Sequence, residues 1–287
     1  MVEACAQGCC RVAEPRGVVR RLLSVTDNVR RVIADAAVSP LPAGRIAVVV
    51  PCYNEAERID LGGFIPFVMA GAEVLFVNDG STDGTPALLD QFAASAPTVR
   101  AVHLTRNVGK AEAVRIGLLA AVDAGAAIVG YLDADLATSA GEFMRLIEHL
   151  DDTSGCEVVL GSRVALLGRH IERRMWRHYT GRVFATGASI VLGMPVYDTQ
   201  CGAKAFRVSP ALRDALAEPF SSRWSFDVEL IGRMARGSKR CSGISTEAFL
   251  EVPLNEWHDR PGGQLGIGAS INATAALPKI AWKIRHR

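Results

Sequence analysis

Residues 128–138 read IVGYLDADLAT, and this stretch decides the fold that the sequence predicts. An apolar run of strand character ends at two carboxylates, Asp133 and Asp135, and a helical pattern begins at Glu142. Side chains at positions i and i+2 of a strand face the same side, so both carboxylates can point to one place. Two like charges this close repel each other unless a cation, typically a hard divalent ion that also binds phosphate oxygens, lies between them. The stretch therefore indicates a metal and diphosphate site, although Asp-x-Asp pairs also occur in helix caps and turns.

Strand and helix patterns alternate throughout the surrounding sequence. Strands are predicted at residues 46–50, 73–77, 99–104 and 126–132, and helical patterns follow them, the first of these directly after Glu55. Repeated strand, turn and helix units with short connections predict an α/β fold, with a mostly parallel, Rossmann-like sheet and helices on both faces. Polar clusters follow the strands at their carboxyl ends, and those ends share the edge where open α/β sheets bind ligands.

Two of these polar clusters add to the carboxylate pair. Asp79 follows the second strand in a turn rich in Gly and Ser, where a carboxylate could bind a base or a ribose. By itself, this sequence is equally typical of a turn that binds no ligand. Lys110 follows the third strand at a predicted helix start, where backbone N–H groups and an ammonium favour a phosphate. Because three clusters converge on one edge, that edge is the predicted ligand site.

Composition limits the classes of protein that the chain can belong to. Its 49% hydrophobic and 22% charged residues are sufficient for a globular core, and a net charge of +2 argues against a nucleic-acid partner. Its seven cysteines lack zinc-like spacing, which favours a reducing compartment without disulfides. There is no apolar run of about 18 residues and no signal-peptide layout. We therefore expect a cytoplasmic protein, either soluble or peripherally bound at the cytoplasmic membrane face.

Three segments are predicted along the chain. Residues 1–44 form an N-terminal extension with an amphipathic basic helix, which could pack on the domain, on a second subunit or on a membrane surface. Residues 45–257 form the α/β domain. Residues 258–287 form an apolar and basic C-terminal tail that suits a membrane interface, a disordered segment or a subunit contact equally well.

Several motifs in fixed order over residues 45–257 resemble family 2 inverting glycosyltransferases of the GT-A fold. The motifs are VPCYNE at 50–55, VNDGSTDGT at 77–85, RNVGK at 106–110 followed by AVR at 113–115, and DADLAT at 133–138. Two later stretches, DTQCGAKAFR at 198–207 and WSFDVEL at 224–230, are similar to the dolichyl-phosphate β-glucosyltransferase branch.

The resemblance implies a nucleotide-sugar donor, with UDP-glucose as the first choice, and Mg²⁺ or Mn²⁺ as cofactor. The residues it assigns to the nucleotide sugar are Pro51, Tyr53, Glu55, Asp79, Lys110, Asp133 and Asp135. Asp133 and Asp135 would also bind the metal, and Asp135 is a candidate catalytic residue. Where related mannosyl-phosphate synthases have a metal-binding Gln, this chain has Ala137, which favours the glucosyl branch.

A cluster of arginines points to the acceptor. Six arginines between 163 and 182 accompany one acid in a stretch that we predict to be helical, and the planar donor fork of Arg fits phosphate. The predicted acceptor-phosphate contacts are Arg163, Arg173, Arg174 and Lys204. Asp227 is the second candidate catalytic residue. It would serve as a general base, or it would orient the acceptor if the acceptor is already an ionised phosphate.

The resulting hypothesis is an enzyme that moves a sugar, with inversion, onto a polyprenyl or dolichyl phosphate. A glycosyltransferase of the same fold with a soluble small-molecule acceptor is the first alternative. A sugar-nucleotide-binding protein without catalysis is the second, and retention of both Asp133 and Asp135 argues against it.

Overall fold

The computed structural model describes residues 45–171, 175–259 and 267–287. The predicted N-terminal extension and its amphipathic helix lie outside these ranges, as do Arg173 and Arg174.

A seven-stranded, mostly parallel sheet forms the centre of this part of the chain. Its strands are β1 (Ile46–Cys52), β2 (Glu73–Asn78), β3 (Val99–His103), β4 (Ile128–Leu132), β5 (Val158–Ser162), β7 (Ala203–Arg207) and β8 (Phe249–Pro253). They are ordered β3-β2-β1-β4-β7-β5-β8, and β7 runs antiparallel to both of its neighbours. Two short strands, β6 (His170–Ile171) and β9 (Glu256–Trp257), pair separately. The expected mostly parallel α/β sheet is confirmed.

Helices cover both faces of the sheet, and β1 and β4 are continuous apolar runs for that reason. Val48 and Val50 of β1 face one apolar cluster, and Ala47 and Val49 face the other. The helices of the first face are α1 (Ile65–Met69), α2 (Thr85–Ser95) and α4 (Ala140–Asp152). Those of the second are α3 (Lys110–Asp123), α5 (Met175–Leu192), α6 (Pro210–Leu216), α7 (Phe226–Arg236) and α8 (Ile267–Arg285).

Two predicted helical segments differ from the structure. Residues after Glu55 form a turn closed by the Arg58 and Ile59 N–H groups on the Glu55 carbonyl, and a 3-10 turn begins only at Leu61. Residues 163–169 are not helical, and His170 and Ile171 pair with Glu256 and Trp257 in a short parallel sheet. The helix of this region begins at Met175.

The C-terminal segment also differs from the predicted tail. Helix α8 buries Ala273, Leu277, Ile280 and Ile284 in the same apolar cluster as α5 and α7. These positions repeat at helical spacing and form one stripe, so the segment is a component of the domain core. None of the helices that the structure describes is long and apolar enough to cross a membrane.

Candidate active site

A cleft of about 390 Å³ lies beyond the carboxyl ends of β1, β2 and β4. All seven residues predicted to hold a nucleotide sugar line it: Pro51, Tyr53, Glu55, Asp79, Lys110, Asp133 and Asp135. The sheet brings them together because each follows a parallel strand or begins the helix after it. We call this cleft the first compartment. The structure thus groups the predicted residues, and their ligand contacts stay predictions.

A smaller cavity of about 110 Å³ adjoins it, and we call this the second compartment. It shares four lining residues with the first compartment, namely Lys110, Asp133, Asp135 and Trp224. Its other lining residues include Ala137, Thr138, Arg163, Gln200, Gly202, Phe226, Asp227, Trp257 and Asp259. The two compartments therefore meet at the carboxylate pair, and two ligands could approach each other there.

Asp79 shapes the wall of the first compartment. Its carboxylate oxygens accept the backbone N–H groups of Val108 at 2.7 Å and Gly109 at 2.8 Å. Burial raises the pKa of this carboxyl, although the two backbone hydrogen bonds oppose the rise. Asp79 therefore fixes the turn that starts α3 and positions Lys110, in addition to any contact with a base or ribose.

Arg223 closes over the same turn, and no sequence motif predicted it as a site residue. Gly109 has φ +98°, and a Cβ at this position would lie 2.6 Å from Nε of Arg223. Arg223 also donates to Oδ1 of Asn107 at 3.1 Å. The sequence feature that could have indicated Arg223 is its position directly before the WSFDVEL motif. A guanidinium here adds a cation to the first compartment beside Lys110.

Glu55 presents an oxygen that needs a partner. Its Oε1 accepts from Arg58 at 2.6 Å, whereas Oε2 is buried without a hydrogen-bond partner. Burial raises the pKa of Glu55, and the charges of Asp135 and Asp133 act in the same direction. A ligand hydroxyl would satisfy Oε2, which fits the predicted contact with a ribose. Arg58, a further lining residue that no sequence motif predicted, orients this carboxylate.

The carboxylate pair is arranged for a cation. Nζ of Lys110 lies 2.5 Å from Oδ1 of Asp133, and Oδ1 of Asp135 accepts the N–H of Ala137 at 3.0 Å. Burial raises the pKa of Asp135, and the neighbouring charge of Asp133 raises it further. A positive ion between the two carboxylates would relieve this repulsion.

These residues fit Mg²⁺ or Mn²⁺ only in part. No group of three or more His, Cys, Asp or Glu side chains within the described ranges could hold a metal ion. Two carboxylates offer hard oxygen ligands, and Mg²⁺ is commonly bound by one or two carboxylates together with substrate phosphates and water. The pair therefore fits an ion that a bound diphosphate helps to coordinate.

Asp227 lines the second compartment at the first turn of α7. Its Oδ1 accepts from Nζ of Lys204 at 2.8 Å and from the hydroxyl of Tyr131. Lys204 was predicted to bind an acceptor phosphate, and the geometry corrects this prediction. The Lys204 side chain is 0% exposed and also donates to the Cys201 carbonyl at 2.6 Å, so it lies beneath the cleft.

Arg163 stands at the wall of the second compartment, as a phosphate contact requires. Its Nε and Nη2 form a forked pair with Asp198 at 2.6 and 2.8 Å, and its guanidinium lies 5.4 Å from the centre of the Trp257 ring. Burial opposes the charge, but Asp198 outweighs burial and raises the pKa of Arg163. Arg163 is therefore a fixed cation, and the other two predicted arginines lie outside the described residues.

Comparison with known proteins places these features among glycosyltransferases. Residues 47–212 match the family described as Glycosyl transferase family 2. Polyprenol monophosphomannose synthase of Mycolicibacterium smegmatis is 29% identical over 250 residues, which are 86% of this chain and 89% of the relative. A dolichyl-phosphate β-glucosyltransferase of Trichomonas vaginalis is 30% identical over 247 residues, covering 81% of this chain and 69% of the relative.

A solved mannosyltransferase of Pyrobaculum calidifontis, in complex with GDP-Man and Mn²⁺, aligns with 86% of this chain and 67% of its own. The identity is 20% and the TM-score is 0.45. This likeness is too weak to identify a donor or a metal for this chain.

Proposed function

The chain belongs to glycosyl transferase family 2 and is a nucleotide-sugar-dependent glycosyltransferase, and we propose that its acceptor is a polyprenyl phosphate. The names of the relatives support this acceptor, because one is a polyprenol monophosphomannose synthase and the other a dolichyl-phosphate glucosyltransferase. An undecaprenyl-phosphate mannosyltransferase of Micrococcus luteus is also 26% identical over 244 residues.

The observation that carries the proposal is the meeting of two compartments at Lys110, Asp133 and Asp135. The first compartment takes the nucleotide sugar, with Glu55 on the ribose side. The second takes the acceptor, with Arg163 as a phosphate contact. The bond to be broken, between the sugar and the diphosphate, then lies where the compartments join.

The reaction follows from this placement. An oxygen of the acceptor phosphate attacks the anomeric carbon from the second compartment, and the bond from that carbon to the diphosphate breaks on the opposite side, which inverts the configuration. Lys110 offsets charge on the departing diphosphate. Asp133 and Asp135 would hold Mg²⁺ or Mn²⁺, which when bound stabilises the leaving nucleoside diphosphate. Asp227 accepts a hydrogen bond from a protonated oxygen of the acceptor phosphate, which orients the acceptor, and it takes that proton as the phosphate oxygen attacks.

The proposal also concerns which sugar the donor carries. The relatives are named for both mannose and glucose transfer. We take UDP-glucose as the first donor to test and GDP-mannose as the second. Ala137 supports glucose, because the family resemblance implies a metal-binding Gln at that position in mannosyl-phosphate synthases.

Two exposed leucines in the loop that follows Arg163 support a lipid-linked acceptor. Leu166 and Leu167 are 48% and 104% exposed, and they lie in the same loop as Arg163. Exposed leucines this close to a phosphate contact suit the prenyl chain of an acceptor or the membrane surface that holds it.

A product assay tests the proposal. The full chain is incubated with undecaprenyl phosphate, Mg²⁺ or Mn²⁺, and either UDP-glucose or GDP-mannose labelled in the sugar, and the mixture is extracted with organic solvent. Label in the organic phase with either donor supports a polyprenyl-phosphate transferase and identifies the sugar. Label found only in water-soluble product with a small-molecule acceptor would contradict the proposed acceptor.

A further inference from the structure

We propose that Tyr131 and Lys204 are positioning residues that bind one oxygen of Asp227 and so direct the other oxygen toward the acceptor. The inference rests on the proposed function, in which the second compartment holds the acceptor. It gives Lys204 a role other than phosphate binding, and it includes Tyr131, which no motif predicted as a site residue.

The register of the sheet brings the two residues together. Tyr131 of β4 and Lys204 of β7 are direct partners in the antiparallel pair, so their side chains leave the same face. Nζ of Lys204 lies 5.2 Å from the centre of the Tyr131 ring. From this face the ammonium and the hydroxyl converge on Oδ1 of Asp227.

Burial shows why this arrangement is rigid. Tyr131 and Lys204 are both 0% exposed, and the Tyr131 ring packs between Phe206 and Phe226. An ammonium at this depth is stable only when it is paired and hydrogen-bonded, and Asp227 and the Cys201 carbonyl meet that need. Neither donor has freedom to follow a moving carboxylate, so Asp227 is held in one orientation.

The placement of Asp227 connects this cluster to the reaction. Both of its described hydrogen bonds fall on Oδ1, and the residue lines the second compartment, which leaves Oδ2 for a ligand. A buried ion pair that served stability alone would not need a wall position in a cleft. Tyr131 also lies two residues before Asp133, so the end of β4 leads into the carboxylate pair and also supplies a donor to Asp227.

The direct test is Tyr131→Phe, which removes one hydroxyl and keeps the ring packing. We expect kcat to fall by about tenfold or more and the acceptor KM to rise, with the donor KM within about twofold of the original value, since a hydrogen bond to a charged group is lost on the acceptor side only. Tyr197→Phe is the matched control, because Tyr197 lies outside both compartments, and it should leave kinetics unchanged.

A double-mutant cycle separates positioning from general damage. Single-turnover rates are compared for the original chain, Tyr131→Phe, Asp227→Asn and the double variant. If Tyr131 acts through Asp227, Tyr131→Phe should not lower the single-turnover rate further once Asp227 is replaced by Asn. Equal losses from Tyr131→Phe in both backgrounds would overturn the inference.

Lys204 is tested with paired changes, because Lys204→Met alone leaves a buried carboxylate unpaired and Asp227→Asn alone leaves a buried ammonium unpaired. The thermal unfolding midpoint of each single variant is therefore measured first, and its rate is used only if that midpoint shows a folded chain. Lys204→Met with Asp227→Asn removes both charges and should fold, with an activity equal to that of Asp227→Asn. A clearly lower activity than Asp227→Asn would show that Lys204 has a separate role and would overturn its part of the inference.

The outcomes also distinguish this inference from the proposed function. Suppose that Tyr131→Phe transfers sugar to undecaprenyl phosphate at the normal rate, whereas Asp227→Asn is much slower. This result would overturn the positioning role alone. Normal transfer in Asp227→Asn would overturn the role of Asp227 and the inference together. Absence of transfer to polyprenyl phosphate, with transfer to a soluble acceptor that still depends on Tyr131 through Asp227, would overturn only the proposed acceptor.

Discussion

Gly109 shows how a single backbone position can control the first compartment. Replacing it by Ala introduces a Cβ at positive φ, 2.6 Å from Arg223, whereas Ala at Gly125 has a similar positive φ with no atom within 4 Å. We expect both variants to lose free energy of unfolding from backbone strain, and Gly109→Ala to lose about 1–3 kcal/mol, because its φ of 98° and ψ of 153° lie in a region that almost only glycine adopts. Only Gly109→Ala should also raise the donor KM, because Arg223 must move. Equal donor KM values in the two variants would contradict the role of Arg223.

Asp135 supports a second prediction at this scale. Asp135→Ala should abolish metal-dependent turnover while leaving the thermal unfolding midpoint close to its original value, because the removed carboxylate is a source of repulsion in the folded chain. Turnover with and without a chelator is the measurement. Chelator-resistant turnover at the original rate in the variant would exclude the metal role.

The sequence predicted those site residues that directly follow strands. Asp79, Asp133 and Asp135 could be found because a strand end and a short motif place them at one edge. Arg223 and the true partner of Lys204 could not be found, because each depends on contacts between residues far apart in the chain. A buried lysine and an exposed phosphate-binding lysine look identical in a single sequence.

Glu142 links secondary-structure elements and gives a pH-dependent prediction. It accepts from Arg145 within α4 and from N and Nδ2 of Asn255, which lies between β8 and β9. Burial raises its pKa, but these donors outweigh burial and lower it overall. The folded chain therefore binds the proton more weakly than the unfolded chain, so the stabilisation exists above the ordinary Glu pKa and is lost as pH falls through the lowered value.

We expect Glu142→Gln to lower the free energy of unfolding by about 2 kcal/mol at neutral pH, because hydrogen bonds to a charged group are lost. Denaturant unfolding at several pH values is the measurement. The difference between variant and original chain should shrink in acid. A difference that stays constant down to strongly acidic pH would contradict the link to the Glu142 charge.

Helix α8 can be tested as a component of the core. Ile280 is 0% exposed, whereas Trp282 on the same helix is 61% exposed. Ile280→Ala should cost about 3 kcal/mol in free energy of unfolding. Trp282→Ala removes a larger side chain from the surface and should cost about 0.5 kcal/mol or less. If Trp282→Ala lowered the free energy of unfolding more than Ile280→Ala does, α8 would not pack with Ile280 in the core.

Strands and helices could be predicted from the sequence where a segment has one clear hydrophobic pattern. The strands of the parallel half are continuous apolar runs and were predicted within a few residues. Helix α8 was not recognised, because its buried stripe is mixed with small residues and Pro278. The arginine-rich segment was assigned to one helix, because the pairing of β6 with β9 joins residues that are distant in sequence.

At the scale of the molecule, the fold places two ligand compartments at one edge of the sheet. β1 and β2 supply the first compartment, β7 and α7 border the second, and β4 stands between them with Asp133 and Asp135 beyond its end. The antiparallel strand β7 lies beside β4 and brings Lys204 against Tyr131 beneath the cleft.

The division into donor and acceptor compartments is most directly tested by initial rates in Arg223→Ala and Asp227→Asn, with both substrates varied. Arg223 lines only the first compartment and Asp227 only the second. Arg223→Ala should raise the donor KM by about tenfold and leave the acceptor KM unchanged, because a charged contact is lost on one side. Asp227→Asn should lower kcat and raise the acceptor KM without affecting the donor KM. If both variants changed the same KM, the assignment of donor and acceptor to separate compartments would be wrong.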